Sequence, residues 1–410
     1  MLRKSARCQI CGSKTKQFLD LGNHPPCNFL NEHELDKEIL YPMLVHFCQT
    51  CSLVQLGKPV SQEALFLPHT GYHHIAALSS SFTKHLDVLA SKTVGKFSLK
   101  PNDLVVEIGA NDGALLEAFQ KRNVRILGVD PSDVAEIATN KGLPILKKFF
   151  NEEVAAEVAD THGQAKIMTA LNVFAHLSSL HSVVRGIEKL LTADGVFISE
   201  NGYILDLVRG MQYDFVYQEH LRYYSLRALI YLFNMCGMDV FDVERIPEHG
   251  GSIRVFACKK GAYQVSNPVM ALLEEEATFG LYEFDTYVEF SKKVKAHKKS
   301  LKKMLENIHA EGKTIAGLTF PARAETLLTY CGIGPETICY VTEWSNIKIG
   351  KFTPGTHIKV VDQKILFGDE APDYGLMLSW HIQEELITRF KKNGFKGKFI
   401  IPLPTPTIIS

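Results

Sequence analysis

A chain of 410 residues, 46% of them hydrophobic, is long enough for two or three domains with their own cores. Its 45 Lys and Arg equal its 45 Asp and Glu, so no global field draws it to nucleic acid or to an anionic membrane, and a polyanion would need a local patch. The basic residues of Met1–Cys8 are followed by no apolar stretch, and no run of about 20 apolar residues occurs, which predicts a cytoplasmic protein with neither a membrane nor a nucleic-acid partner.

Nine cysteines are present, and four form the pairs Cys8-x-x-Cys11 and Cys48-x-x-Cys51. Between the pairs lies turn-rich sequence including Gly22-Asn-His-Pro-Pro26. Two such knuckles can place four thiolates on one tetrahedral zinc, a closed arrangement that leaves no position for substrate. Cys27 and His46 lie close enough to substitute. Residues 1–70 therefore read as a zinc lobe in which the metal serves folding rather than chemistry.

From Tyr72 to Leu99 an apolar period through Phe82, Leu86 and Leu89 predicts a helix. Strands follow at Leu104–Glu107, Ile126–Asp130, Ile167–Leu171 and Gly195–Glu200, in alternation with helices, the pattern of a mainly parallel sheet covered on both faces. The first strand runs into Gly109-x-Asn111-x-Gly113 and then a helix from Ala114. Glycines there let backbone turn tightly against a ligand, and Asp130 ends the next strand, where a carboxylate can take both hydroxyls of a ribose. A plain turn without ligand is the alternative. The loop resembles the S-adenosylmethionine loop of class I methyltransferases, which implies Glu107, Gly109, Asn111, Gly113, Asp130 and Asn172 as donor-binding residues.

After the first sheet, Tyr217, Glu219 and His220 bring a phenol, a carboxylate and an imidazole within four residues, a set suited to proton transfer. The segment Asn172–His176 ends a central strand at the edge where doubly wound sheets bind ligands. Singly, such residues are more often packing or capping groups; together beyond the strand ends they favour chemistry. Pro268–Ala310 reads as a long helix with a solvated lysine face. Strands at Thr314–Thr319, Ile338–Val341, Tyr374–Trp380 and Lys398–Pro402, with helices at Ala324–Cys331 and His381–Lys392, predict a second doubly wound unit. The divisions are 1–70, 71–261 and 262–410.

The order of Cys-x-x-Cys pairs, the G-x-N-x-G loop, Asn172–His176, Tyr217-x-Glu219-His220, His249-Gly-Gly-Ser252, Thr326–Gly332 and Pro354-Gly-Thr-His357 resembles the sugar C-methyltransferases that act on nucleotide-diphospho-keto-deoxysugars. The resemblance spans essentially the whole chain. It implies a class I S-adenosylmethionine methyltransferase sheet between a zinc lobe and a C-terminal Rossmann-like domain, the outer two enclosing a nucleotide sugar. His176, Tyr217, Glu219 and His220 would carry the chemistry, and Tyr72, Arg323, His249 and Ser252 would contact substrate. The expected reaction is methylation at C3 of a 4-keto sugar by a monomeric or weakly associating enzyme. His220 is expected as base, oriented by Glu219, with Tyr217 or His176 donating to the enolate oxygen; base and donor can exchange. The rivals are an O- or N-methyltransferase and a zinc-knuckle nucleic-acid-binding protein with a degenerate fold.

Three departures from the family pattern bear on substrate. Arg323 stands where many members carry a lysine and keeps a cation at a helix N-terminus, suited to a pyrophosphate. Glu325 either selects a hydroxyl or acts as a first-turn carboxylate. Glu343-Trp-Ser-Asn346 replaces a more basic, aspartate-led stretch. His249–Ser252 is either a glycine turn between strands or a substrate loop.

Overall fold

A computed structural model describes residues 6–61, Leu65 and 80–410. Three sheets organise them. The first is antiparallel: β1 (Lys16–His24), β2 (Tyr41–Phe47) and β3 (Val54–Leu56), completed by the two-residue β9 (Arg222–Tyr223) from the middle of the chain. The zinc lobe therefore shares a sheet with the segment that carries Tyr217 and His220.

The central sheet has the order β10-β11-β8-β7-β4-β5-β6. Here β4 is Leu104–Ile108, β5 Arg125–Val129, β6 Ile145–Leu146, β7 Ala165–Leu171, β8 Leu191–Gly202, β10 Met238–Ile246 and β11 Ser252–Lys259. The pairs β4–β5, β4–β7, β5–β6 and β7–β8 are parallel. β4 is buried along its whole length, which is why it reads as an unbroken apolar run and not as an alternation. β11 enters antiparallel beside β8 with β10 outside it, giving the doubly wound sheet of class I methyltransferases. The β10–β11 hairpin turns at His249–Ser252, so the glycine turn between strands is present.

The third sheet, β14-β13-β12-β15-β16-β17, is parallel except for its last strand. Its members are β12 (Ile315–Leu318), β13 (Val341–Glu343), β14 (Val360–Asp362), β15 (Tyr374–Met377), β16 (Lys398–Ile401) and β17 (Thr407–Ile409). The predicted strand at Ile338 begins three residues late, because Ile338 fills the core from the preceding turn, where its N–H bonds the Gly334 carbonyl. The predicted helix 268–310 is two, Asn267–Phe279 and Phe284–Ala310, parted where Gly280 adopts φ +78. Predicted strand 374–380 stops at Met377, and Trp380 opens a short 3-10 turn with its indole N–H on Asp214. The described part of the predicted helix 72–99 is Ser80–Lys96.

Candidate active site

The four paired cysteines converge. Their sulfur atoms lie within 4.8 Å of one another, the one such metal-ligating group among the described residues. Each knuckle closes through a left-handed residue, Gly12 (φ +73) and Ser52 (φ +62), whose N–H reaches back 3.0 and 2.8 Å to the carbonyls of Cys8 and Cys48. Cys51, then Cys8, hydrogen-bonds to Cys48 and holds its thiol far below the ordinary range, while the same Cys48 contact pushes Cys51 up. Thiols so packed cannot all ionise without a dication. One Zn²⁺, with Zn–S bonds near 2.3 Å, fits the cluster and would be fully coordinated by sulfur. Cys27 and His46 are not alternatives: the Cys27 thiol donates to the Ala322 carbonyl and His46 Nδ1 pairs with Thr15 Oγ1.

At the carboxyl ends of β4 and β5 the loop after Glu107 forms a cradle. Gly109 and Gly113 both have positive φ, and a Cβ on either would come within 2.4 Å of Val173 or 2.3 Å of Leu143, so only glycine fits. Asn111, also left-handed, donates its N–H to Asp130 Oδ2 at 2.8 Å, while Ser132 donates N–H and Oγ–H to Oδ1. Glu107 is buried with Oε2 unpartnered. Burial, then Asp130 and Asp112, hold its carboxyl well above the usual range. Such a cluster seeks hydroxyl and cationic donors. S-adenosylmethionine, with its ribose diol, ammonium and sulfonium, fits it.

Tyr217 and His220 face one another across one turn, whose His220 N–H closes on the Tyr217 carbonyl at 3.0 Å. Tyr217 Oη lies 2.7 Å from His220 Nε2, and Phe215 packs edge-on to the imidazole. His176 reaches the group from the end of β7: its Nδ1–H donates to the Glu219 carbonyl at 2.6 Å and its ring centre lies 4.9 Å from that of His220. The bond from Leu221 N–H to the Ala175 carbonyl locks the two loops together. Burial, then His176, drives the His220 pKa well below its ordinary value; burial, then Glu219, raises that of Tyr217. At neutral pH an intact phenol therefore meets a neutral imidazole.

Glu219 does not orient His220. Its Oε1 accepts the Cys27 N–H at 3.2 Å, Oε2 is buried without a partner, and burial raises its pKa. The turn closed by the His220 N–H on the Tyr217 carbonyl brings residues three apart together, so Tyr217 takes the imidazole while Glu219 points to the Cys27 N–H.

Other predicted residues sit as follows. Asn172 (φ +56) pairs through Nδ2 with His249 Nε2 at 3.2 Å. Ser252 is buried and donates to the Glu248 carbonyl, so its hydroxyl is committed within the turn. Arg323 is not a free cation: its Nε and Nη2 bind Asp214 at 2.7 and 2.8 Å. Glu325 contacts His24 Nδ1 at 2.9 Å, both fully buried, and thus fastens the zinc lobe to the helix Ala322–Cys331. Glu343 accepts from Phe320 N–H and Lys348. Tyr72 lies outside the described residues. Sequence reading missed His85, which bridges Glu200 (2.8 Å) and Glu248 (2.7 Å), with Arg254 also on Glu200. No local signal marks that set, since its members come from a helix, two strands and a turn.

Three family models match: a zinc binding domain over residues 8–66, a methyltransferase domain over 82–243 and a C-methyltransferase C-terminal domain over 247–404. The chain is 34% identical to the C-methyltransferase NovU of Streptomyces niveus, over 100% of this chain and 98% of the relative. Solved structures similar to part of it include the magnesium protoporphyrin IX methyltransferase of Synechocystis with bound SAM (13% identity, 43% of this chain and 79% of that one, TM-score 0.33). Another is the CcbJ methyltransferase of Streptomyces caelestis (13% identity, 42% and 89%, TM-score 0.34). With the relative aligned along the entire chain and all three parts matched in order, this protein belongs to the S-adenosylmethionine-dependent C-methyltransferases that carry an N-terminal zinc-binding domain.

Proposed function

We propose that the acceptor is a nucleotide-diphospho-4-keto-deoxysugar, methylated at C3 on the way to a branched sugar, and that the enzyme acts in the cytoplasm as a monomer or weak oligomer without a nucleic-acid partner. The observation that carries this reading is the 2.7 Å contact between the half-buried Tyr217 phenol and the buried His220 imidazole. A carbon beside a ketone is not nucleophilic until its proton leaves, whereas an acidic hydroxyl needs much less help. A phenol–imidazole pair held in contact supplies the proton acceptor that carbon methylation demands.

In this reading Tyr217 Oη takes the C3 proton as its own passes to His220 Nε2, leaving an enolate and an imidazolium. His176, in its doubly protonated form, keeps Nδ1–H on the Glu219 carbonyl and donates Nε2–H to the enolate oxygen, and Glu219 Oε2 accepts a substrate hydroxyl. S-adenosylmethionine, when bound, would supply an electrophilic methyl. Preorganised donors of this kind contribute several powers of ten in rate, and holding donor and acceptor in contact contributes the rest.

The test omits methyl transfer. Wild-type protein with S-adenosylhomocysteine and candidate 4-keto-deoxysugar nucleotides in D₂O is expected to wash deuterium into C3. Turnover that methylates oxygen or nitrogen with no exchange at C3 would replace this reading with the O- or N-methyltransferase.

A further inference from the structure

Gln212–Asp214, beside the central sheet, meets Ser379–Ile382, from the C-terminal sheet. Asp214 is buried and accepts from Arg323 Nε, Arg323 Nη2 and Trp380 Nε1, the last at 2.7 Å. Gln212 Oε1 takes a second bond from Nη2 at 3.2 Å, and the guanidinium lies 4.8 Å over the Trp380 ring. These contacts fix Arg323, at 4% exposure, in one orientation. They leave Nη1 buried with nothing to donate to. Arg323 also stands in the first turn of the helix Ala322–Cys331, an end that favours anions.

His381 is the second unsatisfied group at this seam. It follows Trp380, with its ring edge-on to the indole, and its Nδ1 is buried without a partner. Burial, then Arg323 and His249, push its pKa to about 3, so the ring is neutral and can offer an N–H. The segment has a second distinction. In the order β14-β13-β12-β15-β16 the chain reverses its direction of winding between β12 and β15, and the residues just past these strands, Thr319 and Ser379, touch through their hydroxyls at 2.6 Å. Ligands of open α/β sheets bind at that crevice, outside the carboxyl ends of the strands.

Two orphaned nitrogens, a helix N-terminus and a switch-point crevice require an acceptor with several lone pairs and negative charge. We propose that His381 Nδ1 and Arg323 Nη1 together grip a phosphate oxygen of the substrate's diphosphate, making His381 the substrate-binding residue that the C-terminal sheet contributes. This rests on the nucleotide-sugar reading and deepens it. Phe215 lies between the two sites, with the Arg323 guanidinium 5.4 Å from its ring centre and the His220 imidazole 4.7 Å away on it, so a phosphate held at the seam leaves its sugar within reach of the proton-transfer pair.

Calorimetry on the full-length, zinc-loaded protein saturated with S-adenosylhomocysteine tests the assignment, with dTDP, UDP and inorganic pyrophosphate as probes and the unphosphorylated nucleosides as controls. His381→Phe is expected to raise the Kd for the diphosphates about tenfold, the loss of roughly one hydrogen bond to a charged group. His381→Asn, which keeps an N–H, should fall between the two, and nucleoside binding should not change. His381→Ala gives the same reading if the Phe variant loses zinc or S-adenosylhomocysteine. Diphosphate affinities equal in wild type and variants would overturn the role of His381 while the nucleotide-sugar reading stands. A wild-type protein that binds none of the diphosphates would remove that reading and the subsite with it.

Discussion

Tyr217 Oη and His220 Nε2 are 2.7 Å apart in a pocket that keeps both groups uncharged. A phenol whose pKa is raised does not ionise by itself, but it can pass its proton to a touching imidazole as it receives another. Tyr217→Phe and His220→Ala should each lower kcat by about 10²–10⁴-fold with S-adenosylhomocysteine affinity intact. A matching loss of that affinity in either variant would place the pair in the donor site.

The low pKa of His220 has a signed consequence. Unfolded, the imidazole takes a proton near pH 6.5; folded, it does so only well below that. Below pH 6.5 the unfolded state therefore binds more protons and wild type loses stability as pH falls, while above it the group is silent. His220→Asn removes this loss. Measured against wild type by urea denaturation, the variant should gain about 1–2 kcal/mol between pH 7 and pH 5, and a pH-independent difference would show that His220 titrates normally. For the same reason kcat/KM should show no acid limb at pH 6.5 from this residue.

Asp130 holds three protein donors yet retains lone pairs for a ribose diol. Asp130→Ala should weaken S-adenosylhomocysteine binding by about 1.5–3 kcal/mol, as expected when charged hydrogen bonds are lost. Calorimetry with adenosine tests the diol directly: an unchanged affinity for both ligands would mean that Asp130 serves only to shape the loop around Asn111.

The zinc cluster is a folding element because all four positions are sulfur. In Cys48→Ser the protein should lose its stoichiometric zinc, measured by atomic absorption, and the first sheet should become protease-sensitive. The effect should spread. β3 pairs with β9, which follows directly after Tyr217–His220, so methyl transfer should fall although no thiolate touches substrate. Zinc content equal to wild type would refute the four-cysteine site.

What could be read from the sequence was local. The two Cys-x-x-Cys knuckles, the G-x-N-x-G turn and the Tyr217–His220 spacing of three residues each fit within one turn, where chain geometry alone decides which atoms meet. The partners of Glu219, Arg323 and Glu325 lie 192, 109 and 301 residues away, and only the docking of three sheets brings them together. Local reasoning therefore paired Glu219 with its sequence neighbour and left Arg323 unpaired. The central strands were legible because burial on both faces makes them continuous apolar runs. Gly280 was not, since one glycine inside an apolar period is compatible with either a continuous helix or a C-cap.

Glu276 shows how far an illegible residue can matter. It is fully buried, and its Oε1 accepts from Leu226 N–H at 2.6 Å and Tyr203 Oη at 2.9 Å, while Oε2 accepts from Arg227 N–H and Tyr282 Oη. It thus caps the helix Leu226–Met235 from outside, satisfying first-turn donors that Ser225, bonded to Ala228 N–H, does not reach. Burial raises its pKa, and Gln is a fair substitute in shape. Glu276→Ala would orphan two backbone N–H groups and two phenols; it should cost about 3 kcal/mol or more in urea denaturation. Glu276→Gln, which keeps one acceptor oxygen, should cost less than half as much. Equal losses in the two variants would mean that the cavity, not the cap, sets the penalty.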